Sequence, residues 1–207
     1  IINSVQEGLA SKLDIQAIYD LVGDKIRDVF DTQGIAISYY DREKNYIINP
    51  YYLFKGKRLY DYGFELGKGL TSHVIQTAQA LLINENAIER YKELGALFAP
   101  HETEDAAKSW LGVPLISGGQ VNGTIRLENY EKEFAYSESD VSLLQTLANS
   151  MSVALENARL FDETNRLLKE TEQRTAELSV INSVQEGLVG EMDMQGIYNM
   201  VGEKIRS

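Results

Sequence analysis

The spacing of hydrophobic residues changes several times along this chain of 207 residues, and each change marks a predicted element. Apolar residues recur every three or four positions in residues 1–31, which predicts two amphipathic helices separated at Asp14, a residue type that favours helix N-caps. Residues 34–40 and 46–54 are aromatic and β-branched and flank the turn-forming residues 41–45, so they predict a β-hairpin. The chain therefore begins with helices that have one apolar face and continues into a sheet.

Glycines at positions 67 and 69 interrupt this pattern before helical spacing returns. Residues 136–140 combine hydroxyl and acidic side chains as a helix cap does, and neither glycine nor proline follows until Gly187, which predicts one long helix. Between these points the pattern predicts a helix at 70–77, a short strand at 81–83, a short helix and a mobile loop within 84–108, and a second hairpin with strands at 110–116 and 124–128.

A repeat reveals the organisation of the chain, because residues 2–9 recur unchanged as residues 181–188. The period of about 180 residues is far longer than a solenoid repeat, so each unit is predicted to be a whole domain with its linker. We therefore expect a piece of a longer protein, divided into a domain at 1–160, a connecting helix at 161–179 and the first helices of a second copy at 180–207.

Composition narrows the range of functions. The formal net charge of -11 disfavours binding to nucleic acids and to anionic membrane surfaces. The chain contains no cysteine, which excludes disulfides, thiolate metal sites and cysteine nucleophiles and fits a reducing compartment. There is neither a run of about 18 apolar residues nor a signal peptide at the start. We expect a cytoplasmic protein without direct membrane contact.

Four segments, taken in order, resemble a GAF domain: residues 69–75, 110–115, 123–129 and 134–140, the last leading into the long helix. The resemblance covers residues 1–160, and the linker is similar to helices that join successive GAF domains in bacterial sensor kinases and nucleotide cyclases. It implies an α+β fold in which an antiparallel sheet carries the N- and C-terminal helices on one face. It also implies a small-molecule pocket on the other face and a long helix after the domain.

The resemblance leaves the ligand and any cofactor unknown. Family members that bind cyclic nucleotides carry an Asn-Lys, Phe, Asp-Glu motif, of which Asn129, Phe134 and Asp140 are loose matches. Tyr130 stands where that motif has Lys, which argues against a cyclic nucleotide. A thioether-linked bilin is excluded by the absence of cysteine, and haem would have to be held by one of the two histidines, His73 and His101.

Strand alternation assigns the polar residues of the last strand to the pocket. Ile125 and Leu127 should face the helices, and Thr124, Arg126 and Glu128 should face the opposite side. Arg126 could bind a ligand carboxylate or phosphate, because its planar guanidinium matches both groups. The alternative is an ion pair between Arg126 and Glu128, or across strands, on a solvated surface.

Aromatic side chains near the strands are candidates for the pocket wall, with ordinary core packing as the alternative. Tyr51 is one of these aromatic candidates. The basic residues 55–58 form a separate candidate, for anion binding, but they are more typical of a solvated hairpin end. The acidic loop at 101–105 is likewise better explained as a flexible loop than as a metal site. We predict no metal site and a ligand site formed by Tyr39, Phe54, Phe64, His73, Trp110, Arg126 and Glu128.

No catalytic motif is visible, neither a nucleophile elbow nor a zinc helix nor a phosphate-binding loop, so we expect a domain that is not an enzyme. The favoured function is a sensor in a signalling protein, such as a histidine kinase of a two-component system or a nucleotide cyclase. The alternatives are a dimerisation and spacing module without a ligand and, third, a small redox or hydrolytic enzyme.

The long helix carries a stripe typical of a coiled-coil seam, which predicts a parallel homodimer that transmits a ligand signal to an output domain. Part of the stripe must instead pack on the domain's own sheet, up to about residue 155. From Glu172 onward the seam becomes polar and then resumes out of phase. The stripe consists of Leu144, Leu147, Met151, Ala154, Ala158, Phe161, Asn165 and Leu168.

Overall fold

The elements follow the hydrophobic pattern closely in the computed structural model, which describes residues 9, 14–60, 62–95 and 106–205. Two compact units divide the chain, residues 1–159 and residues 160–207. The elements are α1 (Ile15–Val29), β1 (Gly34–Asp41), β2 (Tyr46–Phe54), β3 (Lys57–Leu59), β4 (Gly63–Glu65), α2 (Leu70–Thr77), β5 (Leu81–Ile83), α3 (Ala87–Glu93), β6 (Ser109–Ser117), β7 (Gln120–Asn129) and α4 (Glu138–Ile205).

The described strands form one antiparallel sheet in the order β3-β2-β1-β7-β6-β5, and β4 pairs with β2 beside this path. Both predicted hairpins are present as β1–β2 and β6–β7, and β7 also pairs with β1 at the centre of the sheet. The α+β fold that the resemblance implied is therefore confirmed. The short strands β3 and β4 were not predicted, because three-residue strands leave little periodicity to detect.

One face of the sheet is covered by α1 and the first part of α4. Alternate residues of the central strands, such as Ile37 and Ile125, are fully buried there among the apolar faces of both helices. The alternation predicted for β7 is confirmed, since Ile125 and Leu127 both belong to this core. The helices contribute Ile18, Val22, Ile26, Leu144, Leu147, Met151 and Ala158, among others.

Local chemistry fixes the start of both covering helices. The Asp14 carboxylate caps α1 by accepting a hydrogen bond of 2.8 Å from the backbone N–H of Ala17. Ser137 and Asp140 form a reciprocal cap for α4, in which each side chain accepts from the other's backbone N–H, at 3.2 and 2.8 Å. Gly23 lets α1 approach the sheet, because a Cβ there would lie 2.3 Å from the Tyr51 ring.

A β-bulge changes which face the first residues of β2 occupy. Ile37 pairs with Tyr51 and Tyr39 pairs with Ile48, so that two residues of β2 oppose one residue of β1. Tyr51 belongs to the core on the helix face, and Tyr52, its neighbour in sequence, lies on the other face. The bulge includes Pro50, a residue that disfavours regular ladder pairing.

The long helix α4 serves two parts of the chain. The predicted seam residues up to Ala158 are buried in the domain core, three residues beyond the limit set by the sequence, and the apolar positions after Ala158 are about half exposed. The helix continues past Gly187 to Ile205, so the repeated segment lies in one helix where two were predicted. Asp193, the counterpart of the N-cap Asp14, lies inside α4.

Two predictions fall outside the described residues: the first helix, of which only Leu9 is described, and the loop at 101–105 with His101. Among the residues that are described, no helix combines the length and apolar composition needed to cross a bilayer.

Candidate functional site

The face of the sheet opposite α1 and α4 buries polar side chains. Thr124, Arg126 and Glu128 of β7 project to this side and are 0%, 7% and 4% exposed. Burying such groups lowers stability unless other groups satisfy them. We call this side of the sheet the polar face, defined by these three residues together with Ser38 and Tyr52.

Arg126 lies at the centre of the polar face and links three elements. Its Nε is 3.5 Å from Glu128 Oε1, and its Nη1 donates to Thr71 Oγ1 of α2 at 3.4 Å. Its guanidinium also lies over the Tyr52 ring of β2, 5.3 Å from the ring centroid. The side chain therefore couples β7, β2 and the start of α2.

Glu128 contacts both Arg126 and a group of aromatic side chains. Tyr130 Oη donates to Glu128 Oε2 at 2.6 Å, and the Tyr130 ring packs edge-on against Phe54, with centroids 5.5 Å apart. Burial, reinforced by the negative charge of Glu128, raises the pKa of Tyr130 well above its usual value, so its hydroxyl stays a donor. Lys55 Nζ lies over both rings, 5.3 Å from that of Tyr130 and 5.8 Å from that of Phe54.

Thr124 differs from its neighbours on the polar face. Its Oγ1 is buried and has no hydrogen-bond partner among the described residues. Ser38, its cross-strand neighbour, donates to Asn49 Oδ1 at 2.6 Å, and the Asn49 amide donates in turn to the carbonyl of Tyr62 at 3.0 Å. An unpartnered buried hydroxyl beside a fully engaged network marks a position where a ligand atom could complete the hydrogen bonding.

The structure brings together some of the predicted site residues. Arg126, Glu128 and Phe54 join through the contacts given above. Phe64 lies on the polar side of the sheet, opposite Ile47 and 6.0 Å from the Tyr62 ring. Trp110 is the cross-strand neighbour of Glu128.

Trp110 packs under α2 and α3, in a cluster with Leu70 and Val74. Gly112 gives it room, since a Cβ at that position would lie 2.2 Å from the indole ring.

Two predicted residues do not join the site. Tyr39 shares its face of β1 with Ile35 and Ile37, which places it on the helix side of the sheet. His73 lies on α2, but the buried residues of that helix are its neighbours and its own side chain is half-buried.

Several residues of the polar face were missed by the sequence analysis. Tyr52 and Asn49 were missed because the bulge in β2 shifts their parity, and Pro50 is the signal that could have suggested it. Thr71 was missed because its partner, Arg126, is 55 residues away in the sequence. Tyr130 was considered only as a departure from a cyclic-nucleotide motif, although it binds Glu128.

A separate groove of about 710 Å³ lies on the other side of the sheet, between α1 and β2. Arg58 lies over the Tyr51 ring at 3.7 Å and donates to Asp20 at 2.7 Å, while the Tyr51 hydroxyl donates to Asp24 at 3.1 Å. The groove contains two acidic and two basic side chains, Asp20, Asp24, Arg27 and Arg58, and they pair with one another. These pairs explain the arrangement without a ligand.

Comparison with known proteins places the chain in context. A family described as "GAF domain" matches residues 12–156. A formate hydrogenlyase transcriptional activator of Salmonella typhimurium is 23% identical over 97% of this chain, and the chain spans 30% of that relative's length.

Two solved structures share the fold at low sequence identity. The GAF domain of a phosphoenolpyruvate-protein phosphotransferase from Coxiella burnetii has a TM-score of 0.67 at 14% identity, over 78% of this chain and 94% of that one. A free methionine-R-sulfoxide reductase from Neisseria meningitidis, in complex with its substrate, has a TM-score of 0.60 at 14% identity, over 77% and 89%. These likenesses concern the fold alone.

Proposed function

This chain belongs to the GAF domain family, and we propose that residues 1–160 form a non-catalytic regulatory sensor that binds a small molecule on the polar face. The observation that carries this proposal is the set of buried Thr124, Arg126 and Glu128 side chains. A buried ion pair of this kind is a weak source of stability, so a role in recognition accounts for it better than a role in folding. The regulatory role is supported by a relative that is a transcriptional activator.

A non-catalytic role is preferred although one protein with the same fold is a reductase. Thiol-based reduction requires a cysteine, and this chain has none. On the polar face, the described side chains include the Glu128 carboxylate, hydroxyls and one guanidinium. Burial raises the pKa of the Tyr130 hydroxyl that donates to Glu128, which disfavours its ionised, nucleophilic form. His73, the one histidine among the described residues, is only half-buried on α2, whereas Thr71, the partner of Arg126 on the same helix, is buried.

The proposed signal passes from the polar face to α4. Thr32 Oγ1 lies 2.9 Å from the carbonyl oxygen of Glu128 and 2.8 Å from Tyr136 Oη. Tyr136 is buried and precedes α4 by two residues. A shift of β7 on ligand binding would therefore reach the start of α4 through two hydrogen bonds.

We further propose that α4 pairs with the same helix of a second chain, as a parallel homodimer in the cytoplasm. Leu160, Phe161, Leu167 and Leu168 are about half exposed and recur with heptad spacing. Exposed apolar residues in such a stripe favour a partner helix. The output domain, a kinase, a cyclase or a transcriptional regulator, would follow in the longer protein.

Thermal unfolding in the presence of candidate ligands tests the sensor. The panel contains cyclic nucleotides, amino acids, haem and small carboxylates including formate. A ligand at a hundred times its dissociation constant should add about 2.7 kcal/mol to the stability. Arg126→Gln should abolish the shift, and Arg166→Gln, an exposed position on α4, should leave it intact. If no compound shifts the unfolding temperature while the chain remains a dimer, the proposal fails and the spacing module replaces it.

Light scattering tests the dimer. We expect a mass of two chains that falls to one in the double variant Leu160→Asn with Leu167→Asn. Glu163→Gln, between them in sequence and exposed, is the matched control and should remain dimeric. A monomer in the unsubstituted chain at high concentration would contradict the proposed pairing.

A further inference from the structure

We propose that the ligand of the polar face is a free amino acid or a similarly small zwitterion, whose carboxylate binds Arg126 and whose ammonium binds Glu128. This inference rests on the proposed sensor function and specifies its ligand class. It depends on four observations: the charge balance of the buried pair, its geometry, the unpartnered Thr124 hydroxyl, and the aromatic group beside Glu128.

Charge balance is the first observation. The Arg126 and Glu128 side chains are both almost fully buried and carry opposite charges. A ligand with a net charge would leave an uncompensated charge in a region from which water is excluded, which is costly. A phosphate would also place its two negative charges beside the Glu128 carboxylate. A zwitterion brings one charge of each sign and leaves the net charge of the buried site unchanged.

The geometry of the pair is the second observation. The Arg126 Nε to Glu128 Oε1 distance of 3.5 Å is longer than the roughly 2.7–2.9 Å of a good charge-assisted hydrogen bond. The two residues are also neighbours on the same face of β7, so their charged groups lie side by side. An α-carboxylate and an α-ammonium, which share one carbon, can each take the partner of opposite charge. Tyr130 already engages Glu128 Oε2, so Oε1 is the oxygen that the ammonium would take.

Thr124 defines the orientation of the ligand. Along β7 the polar face presents Thr124, Arg126 and Glu128 in that order, with Arg126 in the middle. The Thr124 hydroxyl is buried and has no partner among the described residues. A ligand carboxylate between Thr124 and Arg126 would accept from both, because a hydroxyl and a guanidinium are donors. The ammonium then points toward Glu128.

The aromatic group is the fourth observation and lies at the Glu128 end. The rings of Phe54 and Tyr130 attract cations, since Nζ of Lys55, an exposed residue whose charge is screened by solvent, is within 6 Å of both centroids. Ring faces near a carboxylate favour an ammonium group over an anion. The positive end of the ligand is therefore expected on this side and the negative end toward Thr124.

Titration calorimetry on the whole chain tests the ligand class. The probes are the proteinogenic amino acids, each compared with its deaminated acid and its decarboxylated amine; for alanine these are propanoate and ethylamine. We expect at least one amino acid to bind, at least tenfold more tightly than either matched compound. Glu128→Gln should weaken the amino acid at least tenfold and bring its affinity close to that of the acid. Thr124→Val should weaken the amino acid and the acid alike, whereas Thr146→Val, on the exposed side of α4, should change neither.

The outcomes separate this inference from the proposed sensor function. If a deaminated acid binds as tightly as its amino acid, or if a cyclic nucleotide or haem binds and no amino acid does, the zwitterion is wrong and the sensor stands. If nothing binds, both fail. Should Glu128→Gln prevent folding, Arg126→Met combined with Glu128→Met removes both charges, and retention of amino-acid binding by that variant would also overturn the inference.

Discussion

The two faces of β7 differ in what they contribute, although their residues alternate along one strand. Ile125 and Leu127 are fully buried against α1 and α4, and their neighbours Arg126 and Glu128 are nearly as buried on the other side. Burial of the apolar pair stabilises the fold, at about 25 cal/mol for each Å² of apolar surface removed from water. Burial of the charged pair costs desolvation that their weak contact offsets only in part. The residues of the helix face therefore stabilise the fold, and the polar face contains charged groups that folding does not require.

The largest predicted effect on stability comes from replacing only one residue of the buried Arg126 and Glu128 pair. Arg126→Met leaves Glu128 buried without its cation, which should lower the free energy of unfolding by about 3–5 kcal/mol. Urea denaturation followed by circular dichroism measures the change. A loss below about 1 kcal/mol, typical of an exposed ion pair, would contradict the burial that the structure assigns to this pair.

The double variant is the control for that prediction. Arg126→Met together with Glu128→Met removes both charges and should be close to neutral in stability, within about 1 kcal/mol of the unsubstituted protein. If the double variant were as unstable as the single one, packing and not charge would explain the loss.

The helix face should respond to truncation by a smaller amount. Leu127→Ala creates a cavity in the core and should lower the free energy of unfolding by about 3 kcal/mol. Ligand affinity should stay unchanged at temperatures where the variant is folded, because Leu127 points away from the polar face. Loss of ligand binding by the folded variant would show that the two faces are not separate.

The comparison of the two faces also shows what the sequence could predict. Period-two alternation placed Ile125, Leu127 and Arg126 correctly, because β7 is regular next to β1. Period-two alternation also places Tyr51 and Tyr52 on opposite faces of β2. It cannot predict which of the two shares a face with Ile37 of β1, because the bulge is a property of the paired strands and not of β2 alone. Contacts such as Arg126 with Thr71 depend on how α2 returns over the sheet, which no local pattern encodes.

The repeated segment gives a second limit to local prediction. Tyr19 and Tyr198 occupy equivalent positions in similar local sequence, yet Tyr19 is 4% exposed and Tyr198 is 68% exposed. The helical pattern predicts a helix for both, and both are helical. The burial of Tyr19 and the start of α1 at Asp14 depend on the sheet that packs against the first copy. Sequence periodicity alone therefore predicts that a segment is helical, but not which other elements pack against that helix.

Thr124→Val should change the free energy of unfolding by less than Leu127→Ala does, and should raise it. Valine matches threonine in shape and removes a buried hydroxyl that has no partner among the described residues, so stability should rise by about 1 kcal/mol. Chemical denaturation measures the gain. Ser38→Ala is the comparison, because that hydroxyl donates to Asn49 and its removal should lower stability. Equal losses in the two variants would mean that Thr124 is satisfied and offers nothing to a ligand.

The smallest effect near neutral pH concerns the tyrosines of the helix face. Burial, followed by the charge of Asp24, raises the pKa of Tyr51 from 10.0 to about 12, and burial likewise raises the pKa of Tyr19 and Tyr136. Because the folded-state pKa values exceed the unfolded ones, the unfolded chain releases protons first. The stabilisation is complete below pH 10 and is lost as the pH rises toward the folded values.

Denaturation at successive pH values should therefore show constant tyrosine-dependent stability from pH 7 to 9 and a fall above about pH 10. Tyr19→Phe removes one of these groups from the helix face and should make the fall shallower. Tyr198→Phe, at its exposed counterpart in the repeat, should not change the free energy of unfolding at pH 7. Tyrosinate absorbance gives an independent reading, since Tyr19 should ionise above the usual pH range of tyrosine. If Tyr19→Phe left the pH dependence unchanged, the burial of α1 on the sheet would not be what raises the pKa of Tyr19.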